Sequence, residues 1–227
     1  MNQLNYSFIF FKKFKALSLL CSFGVVVFFA TVHSPFLYDD SHAIEDNPYI
    51  KDLSNYQKNI GIQNIFNRSV LLLTFAINNA VGQIDTFGYH LVNITLHLCV
   101  GVVLYFLTSQ ILSLENPPIK PKLKKLPLVV SLIHLINPIN VQAVTYISSR
   151  SSVLVTLFYL LSFYLLVRYR KINDRFINKW VFLFYPLTIL LLFFLGLGTK
   201  EIIVTLPIIV VLYLWIESPK KKLQKFL

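Results

Sequence analysis

The chain has 227 residues, of which 56% are hydrophobic and 14% charged, and its mean hydropathy is +0.64. A soluble globular domain has roughly 25% charged residues, so this composition excludes an ordinary soluble domain and predicts an all-α polytopic membrane protein. The net charge of +11 comes from short basic clusters between apolar segments. That pattern is typical of membrane orientation and argues against nucleic acid as a partner.

The first predicted element is a membrane helix over residues 16–33, which contain no Asp, Glu, Lys or Arg and approach the ~20 residues that cross a bilayer. It follows a basic cytoplasmic N-terminus, residues 1–15. We interpret it as a retained anchor, because no A-x-A cleavage site follows. Residues 34–87 form the first extracytoplasmic loop. Within it, residues 65–82 are apolar but interrupted by Arg68 and three asparagines, which predicts an interfacial or re-entrant helix.

About six transmembrane helices in total agree with the basic clusters if both termini are cytoplasmic. Proline should bend the third of them at Asn137-Pro138. The transmembrane domain then extends over residues 16–217, and a basic cytoplasmic tail covers residues 218–227. The five spans after the first are expected at about residues 88–111, 126–138, 150–167, 180–198 and 202–216.

An acidic stretch, FLYDDSHAIEDNP at residues 36–48, follows the first span directly. Its adjacent carboxylates, Asp39 and Asp40, repel each other unless water, a metal ion or a cationic partner separates them. Two interpretations are open from these residues. One is a solvated acidic loop. The other is a site in which Asp39 or Asp40 acts as general base or the pair holds a divalent cation, Mg²⁺ or Mn²⁺.

A polar stripe begins the second span, where His90, Asn93 and His97 lie along one helix face. Hydrogen bonding between helices explains Asn93 and His97 as well as any functional role does. His90 is nearer the acidic loop and is the better candidate for a ligand contact.

Three more charged residues are expected on the same outer face. Arg150, within SSRSS, offers a guanidinium fork that suits a phosphate, although an interfacial arginine that snorkels is the alternative. Lys200 and Glu201 lie in a turn between two apolar runs, where a simple hairpin would need neither charge. These residues and the acidic loop predict a polar pocket at the outer interface.

Transfer from a lipid-phosphate donor fits such a pocket. A carboxylate would take the proton of an acceptor hydroxyl, while cations would stabilise the phosphate leaving group. The sequence contains no GxxxxGKS loop, zinc spacing, GxSxG elbow or Gly-rich dinucleotide turn, so soluble-nucleotide chemistry is unsupported.

Five motifs occur in an order that resembles a known family, and together they cover roughly residues 36–214. The motifs are YDDxxAIxxNP, NRxxxxLTFAIN, GYHLVNIxLH, NPINVQAVTYISSR and GTKExxVTLP. With them the chain looks like the membrane part of the tetratricopeptide-repeat-associated glycosyltransferases of the GT-C class, which includes the transmembrane-and-TPR O-mannosyltransferases and their bacterial relatives.

The resemblance implies a sugar transferred from a polyprenyl-phosphate donor to a protein or glycan hydroxyl outside the cytoplasm. It places the catalytic carboxylate at Asp39 or Asp40. It also implies that His90, Arg150, Lys200 and Glu201 line the same site, with Arg150 and Lys200 on the phosphate and Glu201 orienting them.

The chain departs from the family pattern at two places. Asn137, Asn140 and Gln142 replace the histidines and glutamate of eukaryotic members, which favours the bacterial branch and a bacterial inner membrane. No 34-residue repeat is visible, so a companion chain could supply further spans and TPR repeats. A non-catalytic membrane partner or a degenerate fragment is therefore the alternative function, and a small transporter ranks last.

Overall fold

A computed structural model of the chain describes residues 3–52, 54, 56, 68–114, 121–173 and 179–226. Within these ranges the backbone is helical or irregular and contains no β-strand. Residues 65–67 of the predicted interfacial segment lie outside the described ranges. The α-helices are α1 (Gln3–Phe28), α2 (Pro48–Lys51), α3 (Ser69–Gly82), α4 (Thr86–Leu112), α5 (Leu126–Ile136), α6 (Val141–Thr145), α7 (Arg150–Asn173), α8 (Lys179–Leu197) and α9 (Leu206–Phe226).

Tighter or wider helical turns connect several of these helices. A π-helical turn, Ser41–Glu45, lies in the first loop. The 3₁₀ turns are Phe29–Thr31, Pro121–Lys125, Pro138–Asn140, Ile147–Ser149 and Glu201–Thr205.

Three helical segments of the described chain are long and apolar enough to cross a membrane: Lys13–Thr31, Thr86–Leu112 and Ile147–Ile172. A fourth span results if Leu123–Ile136 and Pro138–Thr145 are counted together, since they form one apolar path with a 50° bend. The bend lies at the predicted proline, whose ring disfavours a helical conformation for the residue before it. Asn137 is accordingly extended.

Three further apolar helical stretches of the described residues are 10–17 residues long, which is shorter than a span. They are Ser69–Gly82, Leu183–Leu197 and Glu201–Ile216. An all-α membrane protein is therefore supported, whereas the count of six spans and the placement of α3 as an interfacial or re-entrant helix stay predictions.

The first loop is packed onto the helix ends by a cluster of buried apolar side chains. Ile44 and Ile50 from the loop meet Phe75 of α3 and Tyr89 of α4, and all four have at most 1% of their surface exposed. A second cluster joins Phe28 and Val32 to Ile94 of α4 and Val144 of α6. Burial of this kind fixes the loop over α4 and α7.

Helix α4 is central, since it packs against α1, α5 and α7. It approaches α5 closely at Gly101, where a Cβ would lie 2.7–2.9 Å from three atoms of Leu135. Small residues allow such close approach between membrane helices. Any larger side chain at Gly101 would displace a fully buried leucine.

We therefore expect Gly101→Val to destabilise the fold by about 2 kcal/mol through overpacking. Gly82→Val is the matched control, because a Cβ at Gly82 meets nothing within 4 Å. Thermal unfolding of both variants in detergent should show a lower melting temperature for Gly101→Val alone. Equal melting temperatures would contradict the close α4–α5 contact.

Candidate functional site

A polar cavity of about 320 Å³ lies where four segments of the chain meet. The segments are the acidic loop, the start of α3, the stretch around the start of α7 and the turn before residue 201. The residues that line it are Asp39, Ala43, Arg68, Leu71, Leu72, Phe75, Tyr146, Ser148, Ser149, Ser151, Ser152 and Lys200.

The two adjacent aspartates have different environments. Asp40 is 1% exposed, and its two carboxylate oxygens accept the backbone N–H groups of Leu37 at 3.1 Å and Ser148 at 2.7 Å. Such charge-assisted bonds to backbone donors stabilise a buried carboxylate. Asp39 is exposed and lines the polar cavity. Asp40 thus fastens the loop, and Asp39 presents a carboxylate to the cavity.

Tyr146 makes a second connection between the acidic loop and the cavity wall. Its hydroxyl accepts the backbone N–H of Asp39 at 2.9 Å, and it lies two residues before Ser148. The loop is therefore attached at two successive residues, 39 and 40, to one short stretch of the chain.

Arg150 is buried behind the cavity, with 0% of its surface exposed. Its Nε donates to Asn93 Oδ1 at 2.7 Å, and its Nη1 donates to Asn78 Oδ1 at 2.7 Å. The other donors reach Thr74 and the carbonyl of Tyr89. The guanidinium also lies 4.6 Å from the centre of the Phe75 ring, a cation–π distance.

These partners place Arg150 at the junction of α3, α4 and α7. The serines on either side of it line the polar cavity, whereas the guanidinium is absent from its lining. A phosphate contact by Arg150 would require it to leave four neutral partners, so that expectation stays a prediction.

His90 connects α4 to the start of the acidic loop. It is 1% exposed, and its Nε2 lies 3.0 Å from the carbonyl oxygen of Ser34. A carbonyl only accepts, so Nε2 carries the hydrogen. Nδ1 has no hydrogen-bond partner among the described residues. His90 does not line the cavity.

Lys200 lines the cavity from the turn between α8 and α9. Its Nζ donates to Ser152 Oγ at 2.8 Å, so the ammonium and the serines of α7 lie together. Glu201 is exposed and is not part of the cavity lining.

A backbone contact holds Lys200 near the start of α3. The N–H of Val70 donates to the carbonyl of Gly198 at 2.8 Å, which satisfies one of the unpaired donors of the helix start. A Cβ at Gly198 would lie 2.6 Å from Val70 Cγ2, so the contact requires glycine. It brings Arg68, which precedes α3, to the same cavity as Lys200.

Arg68 is a cavity residue that sequence reasoning did not select as a ligand contact. It is exposed and has a left-handed backbone with φ 56°, which is uncommon for a residue with a side chain. The sequence did offer a signal for Arg68, since it is a cation at the edge of an apolar segment and belongs to the NRxxxxLTFAIN motif.

Within the described residues, no group of three or more His, Cys, Asp and Glu side chains is arranged to hold a metal ion. Asp40 already accepts two N–H donors. Both oxygens of Asp40 are thus engaged, and a divalent cation at this pair, Mg²⁺ or Mn²⁺, would depend chiefly on the carboxylate of Asp39.

A second, apolar groove of about 290 Å³ lies along α7. It begins one helical turn beyond Ser152, whose carbonyl accepts the hydroxyl of Thr156 at 2.7 Å. The groove therefore lies within the segment of α7 that is long and apolar enough to cross a membrane. The groove is lined by Val155, Thr156, Tyr159, Leu160, Ile202 and Thr205.

Comparison with known proteins shows similarity to protein O-mannosyl-transferases of animals. A protein O-mannosyl-transferase of Caenorhabditis elegans is 27% identical over 172 residues, 71% of this chain and 24% of that protein. Human TMTC3 is 29% identical over 164 residues, 66% of this chain and 16% of TMTC3. Human TMTC2 is 27% identical over 170 residues, 69% of this chain and 19% of TMTC2.

The chain therefore spans a quarter or less of the length of these relatives. No family model and no solved structure matches it. The similarity agrees with the resemblance of the five sequence motifs to the transmembrane-and-TPR O-mannosyltransferases. The bacterial branch and a bacterial membrane stay predictions, because these relatives are animal proteins.

The buried network of Arg150 makes a direct prediction. Arg150→Lys keeps the charge but loses the planar fork, and it leaves buried asparagine oxygens without donors, so we expect a loss of about 3 kcal/mol. The same substitution at exposed Arg68 should change stability by less than about 0.5 kcal/mol. Melting temperatures of the two variants in nanodiscs test this, and an equal response would contradict a structural role for Arg150.

Proposed function

We propose that the chain is a membrane glycosyltransferase module that moves a sugar from a polyprenyl-phosphate donor to a protein or glycan hydroxyl on the extracytoplasmic side. The observation that carries the proposal is the composition of the polar cavity. One exposed carboxylate, Asp39, shares it with two cations, Arg68 and Lys200, and with the serine hydroxyls of SSRSS. The names of the relatives add the chemistry of mannosyl transfer to protein.

In this proposal the acceptor hydroxyl attacks the anomeric carbon of the donor sugar. The bond between that carbon and the phosphate oxygen breaks, and the electron pair stays on the phosphate. Asp39 takes the proton of the hydroxyl as general base. Lys200 and Arg68 stabilise the negative charge on the leaving phosphate, with Ser152 and its neighbours as hydrogen-bond donors. The reaction needs no other reactant.

The remaining site residues position the reacting groups. Asp40 and Tyr146 hold the backbone that carries Asp39. His90 holds the start of the same loop through Ser34, and Arg150 fixes the start of α7, which presents the serines. Glu201 is kept as a candidate that orients Lys200, next to it in the chain.

The apolar groove supports a lipid-linked donor over a soluble one. A polyprenyl phosphate is an anion joined to a long apolar chain. This protein offers a cationic cavity at the start of α7 and an apolar groove one helical turn further along the same helix. Burial of apolar surface in such a groove contributes roughly 25 cal/mol per Å². A soluble sugar nucleotide would leave the groove unused.

The proposal also includes the orientation of the chain in the membrane and one alternative function. The termini face the cytoplasm, so the cavity opens on the opposite side. The alternative is a non-catalytic membrane partner of such an enzyme, and a companion chain that carries TPR repeats would then supply the catalytic site. In that case, donor binding would not depend on the cavity cations.

The two aspartates should respond differently to the same substitution. Asp39→Asn removes the proposed base and should lower transfer at least about 1,000-fold, with an unchanged melting temperature and unchanged donor binding. Asp40→Asn replaces an acceptor of two N–H groups by an amide that accepts at one end only, so it should lower the melting temperature as well. Transfer from a polyprenyl-phosphate sugar to acceptor, measured in nanodiscs, tests both. Full transfer by Asp39→Asn would overturn the assignment of the base.

The cavity cations should control donor affinity. Lys200→Met and Arg68→Gly should each weaken polyprenyl-phosphate binding about tenfold, because each removes a charge-assisted contact. Glycine suits the left-handed backbone at residue 68, so Arg68→Gly should not reduce stability. Lys51→Met is the control, since Lys51 is exposed and does not line the cavity. Equal affinities in all three variants would place the phosphate elsewhere.

A further inference from the structure

Tyr38 combines two features that are costly unless they serve a function. Its side chain is 87% exposed, and its backbone is left-handed with φ 49°. A bulky residue is rarely found in that region, where glycine is favoured. The exposed ring buries little surface that could offset the strain. Strained residues of this kind cluster at ligand sites.

The surrounding contacts hold the Tyr38 backbone in place. Before it, the N–H of Leu37 donates to the carboxylate of Asp40. After it, the N–H of Asp39 donates to the hydroxyl of Tyr146. Both anchors lead to the wall of the polar cavity. The position of Tyr38 is therefore fixed relative to the carboxylate of Asp39.

The ring of Tyr38 also contacts a cavity residue. It lies edge-to-face with the ring of Tyr146, with the centroids 6.5 Å apart and the planes at 82°. Tyr146 lines the cavity, so Tyr38, which is not itself a lining residue, contacts the cavity wall from outside. This arrangement gives the cavity an exposed, rigid aromatic surface beside the proposed base.

We propose that Tyr38 is a sugar-binding residue, whose ring packs against the C–H face of a pyranose held in the cavity. The inference rests on the proposed function and adds the residue that recognises the sugar. An aromatic face is electron-rich, and the C–H bonds on one face of a pyranose are its electropositive complement. The pyranose is either the donor sugar or a glycan acceptor, since both must come within reach of Asp39.

An exposed tyrosine at the end of a membrane helix could instead anchor the protein at the lipid interface. That role would not depend on the sugar. The two roles predict different responses to ligands with and without a sugar, and this difference is the basis of the test.

The substitution Tyr38→Gly separates the contribution of the ring to binding from the effect of the strained backbone on stability. Glycine adopts φ 49° without strain, so this variant should melt at or above the wild-type temperature while it lacks the ring. Tyr38→Phe keeps the ring and is the matched control. Each protein is placed in nanodiscs, and equilibrium binding is measured for mannosyl polyprenyl phosphate, for polyprenyl phosphate without sugar, and for methyl mannoside.

We expect Tyr38→Gly to bind the mannosyl lipid about tenfold more weakly than wild type, with polyprenyl phosphate unaffected and Tyr38→Phe near wild type. Weaker binding of methyl mannoside alone would assign the ring to an acceptor sugar. Unchanged binding of both sugar ligands would overturn the role of Tyr38 and leave the proposed function intact. Wild-type protein that binds neither lipid would contradict the proposed function, whatever methyl mannoside shows.

Discussion

The fold around the cavity depends on one buried cation, Arg150. A charged side chain within a membrane-spanning helix is costly unless its donors are satisfied. Here Asn93, Asn78, Thr74 and the carbonyl of Tyr89 accept them. These acceptors come from α3 and α4, so the satisfaction of one guanidinium requires both helices to meet the start of α7. The same requirement turns the serines that flank Arg150 toward the cavity, because neighbouring positions on a helix face different directions.

The acidic loop shows how one pair of identical residues takes two roles. The carboxylate of Asp40 accepts hydrogen bonds from the backbone N–H groups of Leu37 and Ser148. These bonds fix the loop against the start of α7. Asp39 is left exposed at the cavity. The two N–H dipoles that point at Asp40 stabilise its charge and offset part of the repulsion between the adjacent carboxylates. Asp40, whose oxygens are already bonded, thus holds Asp39 in the position where its carboxylate is available for chemistry.

The sequence predicted the helical class, the bend at Pro138 and the convergence of Asp39 and Lys200, because hydropathy, proline and charge position are local properties. It did not predict which aspartate is buried, since both share one local sequence and differ in their contacts with Leu37, Tyr146 and Ser148. It selected Arg150 for phosphate, whereas its guanidinium is occupied by Asn78 and Asn93. The available signal for the hydrogen-bond network of Arg150 was the presence of polar residues, Thr74, Asn78 and Asn93, inside the apolar LTFAIN and GYHLVNI motifs. Arg68 lies at the cavity because the N–H of Val70, two residues later, donates to the carbonyl of Gly198, a contact that no spacing rule reveals.

The central claim is that the polar cavity between Asp39, Arg68 and Lys200 holds the head group of a lipid-phosphate sugar donor. Its most direct test is photo-crosslinking of a mannosyl polyprenyl phosphate that carries a diazirine near the phosphate, followed by mapping of the labelled peptides in nanodiscs. We expect labelling of the segments at residues 148–152 and 198–202, and unlabelled polyprenyl phosphate should suppress it. Suppressible labelling confined to other segments, such as the exposed faces of α1 or α9, would contradict it.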